Sequence, residues 1–525
     1  TGDSNTAIGY GTLSAAQTVS KNTAVGRNAL LVNSGGAENT AVGAHALDAN
    51  TSAGGNIAMG YASLGANTTG EWNTALGTNA MQTNTTGHYN TAIGYAALDA
   101  NTTGENNVAV GRDAVGANTT ASHNLGIGRS SLGANTTGTK NIAIGNYSLD
   151  ANTTANNNIS IGYNALTDNT TGANNTALGV SSLANNTDAD YNTGLGYQTL
   201  FANTTGASNT AVGKNALVAN TTASQNTAVG ADALAANTTA AQNTAVGTNA
   251  LSANTTGDLN TAVGYQALTT NTVGDRMVAV GKSALALFNP ASNTDAYNVA
   301  VGYNALGAAT TGTANTAVGG LAMNANTTGA GNTVLGYGAL KTNTTASDNT
   351  AIGRDALELN ETGAYNVAIG RDSLDANTTG GSNVAVGNDA LGGNTTGGYN
   401  IAIGRVALAA NTTANNNLAI GYNTLTSNTT GSENVAVGNY ALDANTDAAN
   451  NTAVGYNALG ANTTAGNNTA IGAYSLDANT TGTQNVALGQ GALGANTTGN
   501  TNVAVGNYSL DANTVGDRNV AVGYN

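Results

Sequence analysis

Asn90-Thr91-Ala92-Ile93-Gly94-Tyr95-Ala96-Ala97-Leu98-Asp99-Ala100-Asn101-Thr102-Thr103-Gly104-Glu105-Asn106 is one copy of a unit that fills the chain. Counted from its first Asn, the unit reads N-T-A-[VI]-G-x-x-A-L-x-A-N-T-T-G-x-x. Its fifth position is always Gly and is always preceded by an aliphatic residue or Met: Gly9, Gly26, Gly43 and so on to Gly523. Every step is 17 residues except Gly281 to Gly302, which is 21. A fixed period with almost no drift is the mark of a solenoid, in which each repeat forms one coil. Frequent Gly, a β-branched strand segment and no 3.6-residue stripe argue against helices. The expectation is an all-β parallel solenoid or β-roll of about 30 coils. At about 4.8 Å per coil this is a continuous rod of about 145 Å over residues 1–525.

Position 4 is Val, Ile or Leu with Met59 as the exception, and position 9 is Leu with Met81, Val115 and Met323 as departures. A coil with two strands facing across a thin interior needs one aliphatic from each. The expected core therefore includes Ile93, Leu98, Val110, Ile144, Leu149, Ile161, Leu166, Val212 and Leu217. Position 3 is almost always Ala, which points to a close approach. The glycines of position 5, among them Gly94, Gly111, Gly145, Gly162 and Gly213, are expected at corners where φ is positive or the backbone is crowded. Asn-Thr-Thr-Gly reads as the return turn. Its Asn, stacked on its own copy about 4.8 Å away, is placed to form an amide ladder. Residues 286–297 hold the four extra residues and the single proline, Pro290. Proline cannot donate to a ladder, so this is expected to be a loop insertion between coils.

Composition excludes several classes. Aromatics are 4 % and charged residues 8 %, with a net charge of −15 spread thinly. In-register charges would face their own copies, which accounts for their scarcity. No basic block points to nucleic acid. There is no cysteine, so disulfides and thiolate metal sites are out. No apolar run is long enough for a membrane span, and no leader is visible. The chain starts and stops inside a repeat, which raises the expectation of a piece of something longer.

Catalysis has little to stand on. His45, His88 and His123 fall at different repeat positions, and the spacing is not that of hexapeptide acyltransferases. No enzyme activity, cofactor or metal is expected. Asp recurs at position 10 (Asp48, Asp99, Asp150, Asp375, Asp443, Asp477, Asp511) without the pattern of calcium-binding rolls. Asn-x-Thr sequons at Asn67, Asn84, Asn101, Asn118 and Asn135 are explained first by turn chemistry, with partial glycosylation as the alternative. Tyr and Arg share position 6. Tyr95, Arg112, Tyr163, Tyr197, Tyr265, Arg354 and Arg371 form a possible contact strip for glycans or proteins, or else they shield the ladder edge. Regular threonines also raise ice binding, as a distant alternative.

Asn22-Thr23-Ala24-Val25-Gly26, Asn141-Ile142-Ala143-Ile144-Gly145 and Asn366-Val367-Ala368-Ile369-Gly370 resemble the S-V-A-I-G repeat of YadA-like heads of trimeric autotransporter adhesins. Tyr163-Asn164-Ala165-Leu166 resembles that family's second recurring patch. Similar arrays look like segments of phage tail fibres and bacterial surface fibre proteins. The resemblance implies a left-handed parallel β-roll, three chains side by side, and adhesion at a cell surface. The expected function is a structural fibre of an extracellular filament or adhesin, with a virion tail fibre as the alternative location and role. The expected partners are copies of itself, as a homotrimer or an end-to-end filament, and an unidentified surface receptor or glycan.

Overall fold

Each 17-residue unit contributes one three-residue strand, at positions 2 to 4, and the rest of the coil is a chain of tight turns. The computed structural model describes residues 2–16 and 18–525. It is a parallel β-solenoid of about thirty turns, with no helix among the described residues. It divides into two compact units, Thr1–Leu259 and Asn260–Asn525. The first contains strands β1 (Thr6–Ile8), β2 (Thr23–Val25), β3 (Thr40–Val42) and onward to β15 (Thr244–Val246). The second begins with β16 (Thr261–Val263) and ends with β33 (Val520–Val522). Within each unit, successive strands pair in parallel and in register, Ala92 opposite Ala109 and Ile93 opposite Val110.

Among the described residues, the second strand expected across the interior is absent from all coils but those flanking the insertion, and backbone conformation gives the reason. Positions 7 and 9 both lie at positive φ, as at Ala96 (51°) and Leu98 (54°), which no extended strand permits. A left-handed leucine costs about 1–2 kcal/mol. Complete burial of its side chain stabilises by about 1.5–3 kcal/mol and offsets that cost. The turns are themselves laddered: Leu98 N–H donates to the Ala114 carbonyl at 3.0 Å, and Ala96 N–H donates to the Thr78 carbonyl at 3.1 Å. The whole perimeter, not only the strand, is therefore hydrogen-bonded from coil to coil.

The core differs from expectation in one of its two aliphatic positions. Strand alternation points position 3 inward and positions 2 and 4 outward. Ala92, Ala97 and Leu98 are completely buried, as are Leu149, Leu166 and Leu217. Ile93 is 38 % exposed, and Val110, Ile144, Ile161 and Val212 are only partly covered. These five belong to the outer face, because the narrow gap between the strand and the turn behind it is filled by the position-3 side chain, Ala in most coils, with Ser160 and Val334 as the larger exceptions. At Gly126, which takes position 3 in its coil, an added Cβ would lie 2.5 Å from Val115 Cγ2.

The corner glycines are where expected. Gly94, Gly111, Gly145, Gly162 and Gly213 have φ between 116° and 143°. A Cβ on Gly94 would stand 2.5 Å from the Gly111 carbonyl oxygen. Conformation and crowding both demand glycine there.

Two columns of buried asparagine complete the interior. At position 12, Asn101 Nδ2 donates to Asn84 Oδ1 at 2.7 Å and to the Gly104 carbonyl at 3.0 Å. At position 1, Asn107 N–H donates to Asn90 Oδ1 at 2.9 Å, and Asn107 Nδ2 donates to the Ala121 carbonyl at 2.9 Å. The insertion interrupts both columns. Met277 replaces the position-1 Asn, and Phe288 and Ala309 replace the position-12 Asn in successive coils. All three are completely buried. The extra residues are more than a loop: Thr294–Asp295 (β19) pairs with Gly274–Asp275 (β17), and Arg276 forms an ion pair with Asp295.

Candidate functional site

Two surfaces follow from this geometry. The first is the outer face of the strands. Positions 2 and 4 project from it as two in-register columns, neither of them containing a charged residue. Position 4 is aliphatic or Met throughout. Position 2 alternates in bands. It is Thr at Thr176, Thr193, Thr210, Thr227 and Thr244 in the first unit. It is aliphatic at Val108, Leu125, Ile142 and Ile159, and in the second unit from Val367 to Val435. Leu335 is 51 % exposed and Ile403 38 %. In each unit this strip runs for about 70 Å at the usual strand spacing. Soluble monomers rarely expose a contiguous apolar surface of that extent.

The second surface is the side reached after the corner glycine. Tyr95, Tyr163, Tyr197 and Tyr265 are about half exposed there. Three arginines of the same position are held by acidic neighbours at position 7. Arg112 Nε lies 2.9 Å from Asp113, Arg371 Nε lies 2.8 Å from Asp372, and Arg354 contacts both Asp355 (3.3 Å) and Asp372 (3.7 Å). The strip read from position 6 alone is therefore not one surface. Its named residues are mostly separated by coils carrying other side chains, and Arg354 and Arg371 are in adjacent turns but engaged with carboxylates.

Reading position 6 alone missed the tyrosines at position 7. Positions 6 and 7 are consecutive in the same turn, so a ring at position 7 reaches position 6 of either neighbouring coil. Tyr147 packs on Tyr163 with ring centroids 6.3 Å apart, and Arg129 lies 5.3 Å from the Tyr147 ring. Tyr422, Tyr440, Tyr456 and Tyr474 form a continuous row, alternating between positions 6 and 7.

The position-10 aspartates are half-buried beside the turn. Burial raises the carboxyls of Asp99, Asp150, Asp443 and Asp477 above the usual range. Asp375 is pushed up to about 6 by burial, with the charges of Asp389 and Asp372 adding to it. Among the described residues no three His, Asp or Glu side chains come together as a metal-ligand set. His45 Nδ1 meets Asp48 Oδ2 at 2.9 Å in a shallow hollow that Tyr61 also lines.

The sequon asparagines of position 12 are interior, whereas the Asn-Asn-Thr sequons at Asn174, Asn450 and Asn467 fall at position 17 and are exposed. Asn67, Asn84, Asn101, Asn118 and Asn135 are fully buried, and each Nδ2 is committed to two acceptors. A glycan on such a nitrogen has no path outward, so these position-12 asparagines are not acceptors in the folded coil. No helix among the described residues is long and apolar enough to cross a membrane. Among known proteins, no family model matches the chain and no curated sequence matches it.

Proposed function

We propose that the chain is a structural fibre protein whose copies pack against one another through the outer strand face. The likeness of its strands to YadA-like head repeats points to a cell-surface filament or adhesin, and the likeness to tail-fibre arrays to a virion part. The observation that carries the reading is the uncharged double column at positions 2 and 4. Burying it between parallel copies would remove from water the aliphatics that the single chain leaves exposed, at about 25 cal/mol per Å². Side-by-side packing would also leave the tyrosine side of each coil free to meet a receptor.

Analytical ultracentrifugation tests this directly. An elongated particle of about three chain masses is expected. Ile403→Lys, in the fully aliphatic band, would place like charges together at the interface and should return the protein to monomer without unfolding the coils. A wild-type chain that stays monomeric at every concentration overturns the reading.

One observation favours a second reading. The five in-register threonines from Thr176 to Thr244 point outward at about 4.8 Å intervals, beside an aliphatic column. Such an array would order water, and measurable thermal hysteresis from the monomer would favour ice binding over the fibre.

A further inference from the structure

Four consecutive turns of the second unit carry a tyrosine beside the corner glycine. Tyr422 and Tyr456 occupy position 6, and Tyr440 and Tyr474 occupy position 7. The turns that carry them are laddered: Tyr440 N–H donates to the Tyr422 carbonyl at 3.0 Å, and Tyr474 N–H to the Tyr456 carbonyl at 2.9 Å. Successive ring centroids are 5.5, 5.9 and 5.3 Å apart, with interplanar angles of 90°, 75° and 67°. Tyr422, Tyr456 and Tyr474 are 39 %, 46 % and 44 % exposed. Arg405 closes one end, 5.8 Å from the Tyr422 ring. Beyond the other end, the ring of Tyr508 lies over Gly491.

The polar groups of the row are all neutral. From Tyr422 to Tyr508, positions 6 and 7 hold only Tyr, Asn, Gln, Ala or Gly. Asn423, Asn439, Asn457, Gln490 and Asn507 alternate with the rings. This contrasts with Arg354–Asp355 and Arg371–Asp372, which fill the same positions a few turns earlier.

We propose that this row binds an extended neutral polysaccharide, and that a β-1,4-linked hexopyranose chain fits it best. The C–H face of a pyranose is apolar and weakly positive at hydrogen, which suits the negative face of a phenol ring. Carboxamides and phenol hydroxyls offer both donors and acceptors to sugar hydroxyls. The periodicity fits as well. One turn advances about 4.8 Å, close to the rise of one sugar in an extended β-1,4 chain. Like positions in the zigzag recur every second turn, and such a glycan presents the same face every second sugar. Positions 6 and 7 of the row offer a charged polymer no ionic partner; the charges beside it include Arg405 at one end and Asp443 next to Tyr440. The inference goes beyond the fibre reading and does not depend on the oligomeric state.

The test is native affinity electrophoresis of the full chain through gels containing hydroxyethylcellulose or dextran. Hydroxyethylcellulose should retard the wild type and dextran should not. The Tyr440→Asn/Tyr456→Asn double variant should migrate as in a polymer-free gel, while Tyr147→Asn in the first unit should remain retarded. These variants are compatible with the coil. Asn already occupies position 7 at Asn423 and Asn457, with φ of 56° and 54°, and position 6 at Asn439. An unchanged far-UV spectrum confirms that they fold. No retardation of the wild type by hydroxyethylcellulose, equal retardation by dextran, or full retardation of the double variant would each overturn the proposal.

Discussion

Replacing Asn101 by Ala should damage the protein more than replacing Ile93 by Ala, although Ile93 is the larger apolar residue. Asn101 donates to Asn84 Oδ1 and to the Gly104 carbonyl, and its own Oδ1 accepts from Asn118 Nδ2 at 2.9 Å. In Asn101→Ala, the Gly104 carbonyl keeps its bond from Asn90 Nδ2 at 2.8 Å. Asn84 Oδ1 loses the Asn101 amide, and one Asn118 N–H loses its acceptor, both among fully buried side chains. An unsatisfied buried polar group costs about 1–3 kcal/mol, so the pair costs about 2–6 kcal/mol. Ile93 points outward and is 38 % exposed. Its truncation in the isolated chain should cost about 1 kcal/mol or less, since little burial is lost. At Phe288 the chain itself interrupts the Asn column, and a large buried ring takes the place of the amide.

Because each coil touches only its neighbours, the damage should be local. Hydrogen exchange read by mass spectrometry should show protection of the turns from Asn84 to Thr119 falling by about 30-fold or more. Coils beyond Thr210 should keep their wild-type rates. If the Asn84–Thr119 turns keep full protection, the buried amide column is not the structural element described here. If protection falls evenly along the chain, the coils are not energetically separate.

Other outcomes follow from the same geometry. Gly94→Ala must accept φ of 134° and a Cβ 2.5 Å from the Gly111 oxygen, so it should open its coil at a cost of about 3 kcal/mol or more, visible as a new site in limited proteolysis. An unchanged digest would refute that. Phe288→Ala should cost about 3–5 kcal/mol and release the insertion, because the ring is the largest fully buried side chain; unaltered exchange at Thr294 and Asp295 would count against this. The pH dependence has a definite sign. Asp375 titrates near 6 in the fold and near 3.9 when unfolded, so between these values the folded state holds the extra proton. Stability should therefore fall as pH rises from about 4 to about 6. The loss is about 1 kcal/mol once screening of a half-exposed group is allowed for. Asp375→Asn should flatten that slope in urea titrations, and a slope of opposite sign would refute the assignment.

The turn length, the parallel register, the corner glycines and the buried Leu98 column were all legible in the repeat. Translational symmetry explains this. Once a chain repeats every 17 residues, each residue must meet its own copies, and a residue tolerated at every turn reports one environment many times. The Asn101 column was legible for the same reason, since only a self-complementary polar group can be buried against itself indefinitely.

The direction in which each side chain points was not legible. Ile93 reads as core by hydrophobicity, and a three-residue strand is too short for its alternation to say which face is inside. That choice was made by the turn behind the strand, whose left-handed residues bring the backbone so near that Ala92 fits and Ile93 does not. The tyrosine row was hidden similarly. Tyr440 and Tyr456 differ in repeat position, one at 7 and the other at 6 of the next coil, and they become neighbours through the direction of their side chains, with rings 5.9 Å apart. Periodicity specifies which copies stack. The inward or outward choice and the contacts between unlike positions come from closure of the coil in three dimensions.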